Sequence, residues 1–179
     1  MTLTITVQDV RDALAIYGIT TDLTDAQIQK LIEFKIAELS DQIGVPIGPV
    51  SKEYDIFDFK GNKVFLQYYP VKSITSFKID NVDITEYKLK KDNGYIKLSE
   101  GKTGDLVVVY EYGLDITPPI KYLIIDMIIY RLKYGIDGQA SSVREGDVQV
   151  SYGGYSFASY IQNRIDNLRN KYAGRLRLL

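Results

Sequence analysis

The side chains that could do chemistry in this chain are carboxylates, lysines and hydroxyls, because its 179 residues include no histidine and no cysteine. Without histidine the chain lacks the usual general base, the serine triad and histidine metal sites. Without cysteine it has no disulfide and no cysteine-based zinc site. Carboxylates are abundant, but no spacing selects one pair for acid–base work. The sequence therefore predicts a protein that binds or assembles, not an enzyme, and one that needs no cofactor.

One short motif imitates a phosphate-binding loop. The run Gly101-Lys102-Thr103 has the end of that motif, but Ile96 stands where the upstream glycine is required. The run also joins two predicted strands, so no helix N-terminus stands behind it to hold a phosphate. We interpret it as a hairpin loop.

Two clusters of Asp and Asn could supply oxygen ligands to Ca²⁺. They are Asp80 with Asn81 and Asp83, and Asp55 with Asp58. An EF-hand loop also needs glycine at its sixth position and glutamate at its twelfth, and neither cluster has them. Because Asp and Asn side chains hydrogen-bond their own backbone in turns, we interpret both clusters as turn residues and predict no metal site.

Hydrophobic periodicity predicts two pairs of helices, one before and one after a β block. Their predicted limits are Val7 to Tyr17, a capping box of Thr24 and Gln27 to Gly44, Thr117 to Tyr134, and Ser156 to Gly174. The third helix is apolar almost all round, so it lies either at the centre of the bundle or in an oligomer interface. It is too short and too interrupted by charge to cross a bilayer, and the N-terminus does not read as a signal peptide. We therefore expect a soluble protein with no membrane partner.

Between the helix pairs the period changes to two, which is typical of strands. Six short strands are predicted, with hairpin turns at Gly61-Asn62, Asp80–Asp83 and Asn93-Gly94. The fold class is therefore α+β, a small bundle of about four helices with an inserted antiparallel β-hairpin block. The predicted domains are a helical core of residues 1–50 and 113–179 and a β subdomain of residues 51–112.

Charge and tyrosine content each leave two interpretations open. Residues 1–44 hold seven acids and three bases, whereas residues 156–179 hold five bases and one acid. Either both ends are simply solvated, or an acidic surface of one copy meets a basic surface of another. The 15 tyrosines either serve protein interfaces, where Tyr is enriched, or fill strand positions in place of Phe and Trp.

Two C-terminal segments are candidates for contact with other proteins. The predicted partner-binding residues lie in the last helix and the tail beyond it: Arg164, Arg169, Lys171, Tyr172, Arg175, Leu176, Arg177, Leu178 and Leu179. The bases are too few and too interrupted for a convincing nucleic-acid surface, so docking on a protein is favoured. Val148, Val150 and Tyr152 alternate and, with Asp147, predict a strand that pairs with a neighbouring subunit.

The order of several short motifs makes the chain resemble the head–tail connector proteins (adaptor or head-completion proteins) of long-tailed phages and their prophages. The motifs are Leu23-Thr24-Asp25, Tyr69-Pro70-Val71-Lys72-Ser73-Ile74, Ile79-Asp80, Gly94-Tyr95-Ile96-Lys97-Leu98, Pro118-Pro119, and Gly146-Asp147-Val148-Gln149-Val150-Ser151-Tyr152. Together they span nearly the full length. Short members of that family are mostly helical, so the β block places this chain with the longer forms.

The resemblance implies a structural protein of the virion neck, assembled in the host cytoplasm. Such proteins form an oligomeric ring, usually of about twelve subunits, beneath the portal, where the ring extends the DNA channel and joins head to tail. The implied partners are other copies, the portal protein and the next neck or tail-completion protein, with DNA as non-specific channel content. Two alternatives remain: another neck or tail-completion protein, or a non-catalytic ligand- or carbohydrate-binding module on the β block. A concave aromatic pocket would favour the module.

Overall fold

The computed structural model of the chain describes residues 3–134, 142–145, 148–151 and 157–173. These residues form four α-helices, a five-stranded antiparallel sheet and a separate two-stranded sheet, so the predicted α+β class is confirmed. The chain divides into two compact units. The helical unit draws on Met1–Ile43 and Ile116–Lys171, and the sheet unit draws on Gly44–Asp115.

The first two helices begin at capping boxes. α1 (Val7–Ile16) follows Thr6, whose hydroxyl accepts a hydrogen bond from the Asp9 N–H while the Asp9 carboxylate accepts one from the Thr6 N–H. α2 (Asp25–Ile43) is opened in the same way by Thr24 and Gln27. These bonds satisfy N–H groups that a first helical turn leaves without partners. The sequence pattern predicts the second capping box but not the first. In the first box Asp9 stands at the third helical position, where Glu or Gln is usual.

α3 (Pro118–Tyr134) lies at the centre of the helical unit. Both α1 and α2 pack against it, and its buried residues point in several directions: Ile120, Leu123, Ile124, Ile125, Met127, Ile128 and Ile129. Burial on most sides removes the all-round apolar surface from water. Of the two positions predicted for this helix, the structure therefore shows the central one.

An ion pair joins α1 to α3 at the edge of this core. Lys121 Nζ lies 2.8 Å from Asp9 Oδ1, and this contact is the main reason that the pKa of Asp9 falls from 3.8 to about 2. A lowered carboxyl pKa stabilises the fold above the unfolded-state value and ceases to do so as the pH falls through the folded-state value. The contribution of Asp9 is therefore present above about pH 4 and disappears toward pH 2.

The remaining elements of this part of the chain are a hairpin and a helix. β6 (Ser142–Glu145) pairs antiparallel with β7 (Val148–Ser151), with Val143 opposite Val150. α4 (Phe157–Ala173) follows, as periodicity predicts. Among the described residues, no helix has the length and apolar character needed to cross a membrane.

The sheet unit is organised around its last strand. Its strands are β1 (Val50–Phe65), β2 (Val71–Ile79), β3 (Val82–Asp83), β4 (Tyr87–Lys90) and β5 (Tyr95–Tyr112). β5 pairs with β1 along one edge and with β2 and β4 along the other, and β3 extends the sheet beyond β2. Every pairing in this sheet is antiparallel.

Two predicted turns are strand interior instead, so the prediction of six short strands was wrong. Gly61-Asn62 lies inside β1, and the Gly101–Thr103 run lies inside β5. Lys60 pairs with Thr103 and Gly61 with Lys102, and the register then shifts before Lys63. A Gly-Asn dipeptide is a hairpin signal when read alone, but a glycine in a strand also marks a bulge. Only the partner strand distinguishes the two cases.

The other two predicted turns are present. Asp80 and Asn81, with φ of 50° and 63°, form the two-residue link between β2 and β3, a conformation that Asp and Asn tolerate better than most residues. The link between β4 and β5 is a 3₁₀ turn, Lys91–Asn93, followed by Gly94 in the left-handed region. It is wider than the two-residue turn that Asn93-Gly94 predicts.

One face of the curved sheet forms the core of this unit. Its buried members are Phe59, Val64, Leu66, Tyr69, Val71, Phe77, Ile79, Ile96, Leu98, Leu106, Val108 and Tyr110. Tyr110 is fully buried, and its hydroxyl oxygen accepts a hydrogen bond of 3.2 Å from the Tyr68 N–H. Burial raises the pKa of Tyr110 to about 12. At this position Tyr fills a strand core, as one of the two interpretations of the tyrosine content expects.

The chain enters and leaves the sheet unit side by side. The Leu114 N–H donates to the Pro46 carbonyl at 2.8 Å, and the Gly48 N–H donates to the Leu114 carbonyl at 2.9 Å. Gly113, with φ of 133°, lies against the Gly48 carbonyl with no room for a Cβ. Because the two connecting segments are hydrogen-bonded to each other, a short bridge could replace everything between them. We propose on this basis that residues 51–112 are a separable inserted subdomain.

Replacing residues 51–112 with a short Gly-Ser linker should leave a folded helical fragment, since the core around α3 is made by residues outside the excised segment. The check is far-ultraviolet circular dichroism with urea unfolding, which should give a cooperative helical transition. A fragment with no cooperative transition would show that the helical unit depends on the sheet. The control is the full chain with the same linker inserted after Asn81, at the turn between β2 and β3.

Candidate interaction surface

Arg164 ties α4 to α3. One guanidinium nitrogen, Nη1, donates to Asp126 Oδ2 at 2.8 Å and to the Tyr160 hydroxyl at 3.1 Å. The other, Nη2, donates to the Pro119 carbonyl at 2.8 Å. Burial raises the pKa of Asp126, and the positive charge of Arg164 opposes that rise. Arg164 therefore neutralises a half-buried carboxylate and holds α4 in place.

Arg169 makes a second link from α4, this time to the end of α2. Its Nε donates to the Gln42 carbonyl at 2.8 Å, and its Nη1 lies 3.2 Å from Asp166 Oδ1. A cation at a helix C-terminus binds carbonyls that lack partners inside the helix and lies at the negative end of the helix dipole. Two of the four arginines predicted to bind a partner, Arg164 and Arg169, thus make contacts within the helical unit, while their role toward a partner stays a prediction.

The other predicted partner-binding residues divide into two groups. Lys171 and Tyr172 lie in the last turn of α4, where Lys171 is exposed and Tyr172 half-buried. The tail residues Arg175, Leu176, Arg177, Leu178 and Leu179 lie outside the described residues. Of these seven residues, the structure therefore describes Lys171 and Tyr172.

The predicted inter-subunit strand is partly described. Val148 and Val150 lie in β7, which pairs with β6 of the same chain along one edge. Asp147 and Tyr152 lie outside the described residues. Within the described part of the chain β7 has no second strand partner, so pairing with a neighbouring subunit stays a prediction for its other edge.

A groove of about 400 Å³ lies among α2, α3 and α4. Its apolar lining comes from buried side chains of α3 and α4, Met127, Ile161 and Ile165. Its polar lining comes from Lys35, Glu38, Gln42, Arg131 and Gln162. An apolar interior with a few charged groups at the edge is the usual character of a binding groove.

Phe34 stands at the edge of this groove between two cations. The Arg131 guanidinium carbon lies 5.3 Å from the centre of its ring and Lys35 Nζ lies 5.6 Å from it. Lys35 is only 8% exposed and forms an ion pair of 2.6 Å with Glu38. Half of the Phe34 surface nevertheless remains exposed. The groove therefore presents an aromatic ring and a net positive charge, which suits an apolar group with an acidic surround.

Sequence analysis misses the groove, although one signal for it is visible. Phe34 lies in α2 between Glu33 and Lys35, away from the apolar stripe of that helix. A large aromatic residue off the stripe indicates a second contact surface. The positions of Arg131 and Gln162 beside it depend on helix packing, which the sequence pattern does not contain.

The acidic turns of the sheet unit have structural roles. Asp80 Oδ1 accepts a hydrogen bond from the Asp105 N–H at 2.8 Å, and Asp105 Oδ1 accepts one from the Asp58 N–H at 3.1 Å. Over the described residues, no three side chains of the metal-binding types converge on one point. The Asp80 carboxylate is thus hydrogen-bonded to backbone, as expected for a turn residue. Asp55 and Asp58, in contrast, lie inside β1, so their interpretation as turn residues was wrong.

A hollow of about 360 Å³ lies beside β4 and β5 in the sheet unit. It is lined by Glu86, Tyr87, Lys88, Lys97, Leu98 and Ser99. Its lining contains a single aromatic residue, which is less than the aromatic platform that a carbohydrate-binding module would use.

The comparisons with known proteins point in one direction. The sequence model of a family described as head completion protein matches residues 4–169. No curated protein matches the chain. Solved structures share its fold, among them three from gene transfer agent (GTA) particles. A chain in the "neck of empty GTA particle computed with C6 symmetry" has a TM-score of 0.55 and 11% identity, covering 92% of this chain and 93% of that one.

The other two structures come from the same kind of particle. A chain in the "virion of native gene transfer agent (GTA) particle" has a TM-score of 0.56 and 12% identity, and one in the "neck of native GTA particle computed with C12 symmetry" has 0.53 and 12%. Each covers 100% of this chain and 96% of its own. The likeness extends over both units of the chain, so the inserted sheet belongs to the shared fold.

Replacing Arg164 with Met should lower the free energy of unfolding by about 2 kcal/mol at pH 7, because Asp126 then lies half-buried without a cation. Loss of the cation raises the Asp126 pKa further, so the deficit should shrink as the pH is lowered and the carboxyl takes up a proton. Urea unfolding followed by circular dichroism at neutral and mildly acidic pH measures both effects. The double variant Arg164→Met/Asp126→Asn should recover most of the loss. Wild-type stability of the single variant at pH 7 would contradict this role.

Proposed function

The chain belongs to the head completion protein family and is a connector of the head–tail neck of a phage-like particle, and from this premise we propose how it works there. It forms a ring beneath the portal, extends the DNA channel and presents a surface to the next neck or tail-completion protein. The observation that carries this proposal is the family match over residues 4–169. The connector meets DNA only as the content of its channel, and it assembles in the host cytoplasm.

The chemistry of the chain supports an assembly role. The chain has no histidine and no cysteine, and the Asp80 and Asp105 carboxylates are bound to backbone N–H groups, which supports a role in binding. We propose that it acts through protein contacts alone and carries out no reaction.

A ring requires two different faces on each subunit, because a heterologous contact repeats around a rotation axis. The neck structures that share this fold were computed with C6 and C12 symmetry, which supports a ring of about twelve copies. We propose that acidic side chains of the N-terminal helices on one copy meet basic side chains of the C-terminal end on its neighbour. The edge of β7 (Val148–Ser151) that faces away from β6 would add strand pairing between neighbouring subunits.

The C-terminal end is proposed to dock on the portal. Arg164 and Arg169 hold α4 in position, and the docking surface itself consists of Lys171, Tyr172 and residues 175–179. That tail has the sequence Arg175-Leu176-Arg177-Leu178-Leu179. Its mixture of basic and apolar residues fits an acidic groove with an apolar interior. Apolar residues at a terminus are otherwise a cost to solubility.

Electron microscopy of the purified chain, alone and added to tail-less heads, tests the ring. We expect closed rings at the portal vertex, with a central channel wide enough for duplex DNA. Particles that complete their heads without this chain in the neck would contradict the proposal. A chain that binds heads only at sites away from the portal vertex would also contradict it.

Removal of residues 175–179 tests the docking surface. The truncated chain should keep its circular dichroism spectrum and its ring, because the described helical core does not include these residues, but should attach to the portal at least about tenfold more weakly. Co-sedimentation with purified portal measures attachment. The matched control replaces Arg175 and Arg177 with Lys, which keeps charge and leucines. Full attachment of the truncated chain would show that the portal contact lies elsewhere.

A further inference from the structure

Phe57 is held out into solvent by the backbone of β1. Its side chain is 79% exposed. Between Ile56 and Phe59 the register of β1 against β5 shifts, and Asp58 adopts a φ of 51°. Such a φ is costly for a residue other than glycine and persists only when the surroundings enforce it. Here the Asp105 carboxylate accepts the Asp58 N–H at 3.1 Å. This bulge therefore fixes an aromatic ring in an outward position.

The surround of Phe57 is acidic. Asp55 and Asp58 are both exposed next to it, and Asp105 reaches the same bulge through its hydrogen bond. Aromatic side chains are frequent anchors of protein interfaces, where a ring fills a pocket and the charged rim sets the orientation. A partner for this bulge must offer an apolar pocket with a positive rim.

The groove among α2, α3 and α4 has that chemistry. Met127, Ile161 and Ile165 supply apolar surface, while Arg131 and Lys35 outnumber the single carboxylate of Glu38. Its exposed Phe34 offers a ring for aromatic contact, and a volume of about 400 Å³ exceeds that of a phenyl side chain. The two surfaces match in apolar character and are opposite in charge.

We propose that Phe57 of one copy inserts into the α2–α3–α4 groove of the neighbouring copy, an inference that rests on the ring proposed above. A second copy is the occupant because both halves of the contact belong to the same chain. A bulge on one surface with a groove on another is a heterologous pair, the kind of contact from which rings are built. The Asp55 carboxylate then faces Arg131 across the boundary. Such a contact weakens with added salt.

The absence of native cysteine makes a direct test possible. Full-length Lys60→Cys, which keeps Phe57 and both acids, is mixed with full-length Gln162→Cys and treated with a short bismaleimide. Each chain then carries a single thiol, so a product joining the two variants reports one contact. We expect this product, and we expect Phe57→Ala in the Lys60→Cys chain to weaken association about 30-fold, as truncation of an interface anchor does.

Charge reversal and a matched control complete the experiment. Arg131→Glu in the groove chain should reduce the cross-link, and Asp55→Lys in the other chain should restore it. Val82→Ala in the Lys60→Cys chain, at an apolar side chain that is 64% exposed on β3, should change nothing. An unchanged yield with Phe57→Ala, or a greater yield from Ala15→Cys mixed with Gln162→Cys, would overturn the contact. If rings form but this cross-link does not, the Phe57 contact is wrong and the ring proposal stands. If the cross-link forms but rings do not, the contact stands and the ring proposal is wrong.

Discussion

The backbone pairing of Pro46–Gly48 with Leu114 is the constraint on which the architecture depends. The helical unit is discontinuous in sequence, so the chain must leave α2 and return to α3 around an inserted sheet. Hydrogen bonds between the outgoing and returning segments close that loop. Because they lie at the base of the insertion, the sheet can be long without separating the two halves of the helical core. Gly113 permits this closeness, since any side chain there would meet the Gly48 carbonyl.

Electrostatic contacts in the helical unit mostly serve its own assembly. Lys121 pairs with Asp9, Arg164 with Asp126, and Arg169 with the end of α2. Each pair joins helices that are far apart in sequence. The basic character of the last helix is therefore used in part to attach it to the acidic side chains and carbonyl ends of the preceding helices. Among the described residues, Arg131 is therefore a basic group that a neighbouring molecule can contact at the groove.

The sheet unit shows how strand pairing overrides local turn signals. β1 and β5 both continue through short runs that favour turns in isolation, because Lys60 and Gly61 of β1 gain Thr103 and Lys102 of β5 as ladder partners by staying extended. The irregularities appear as bulges, at Ile56–Phe59 and at Gly61–Lys63. One bulge turns Phe57 outward. This shift in register thus leaves Phe57 as the most exposed large apolar side chain among the described residues of the sheet unit.

Sequence alone determined the four helices, the period-two block between them and the lack of histidine and cysteine chemistry. These follow from local properties: the spacing of apolar residues, the Thr24 cap, Pro118 at a helix start and composition. The resemblance to head-completion proteins also came from the order of short motifs, and the match over residues 4–169 confirms it. Tertiary structure alone decided which strands pair, and that Gly61-Asn62 and Gly101–Thr103 are not turns. It also decided that Arg164 and Arg169 make contacts inside the helical unit, and that Phe34 and Arg131 meet at a groove. Each of these depends on residues tens of positions apart coming together, and a local pattern carries no information about which distant partner will be there.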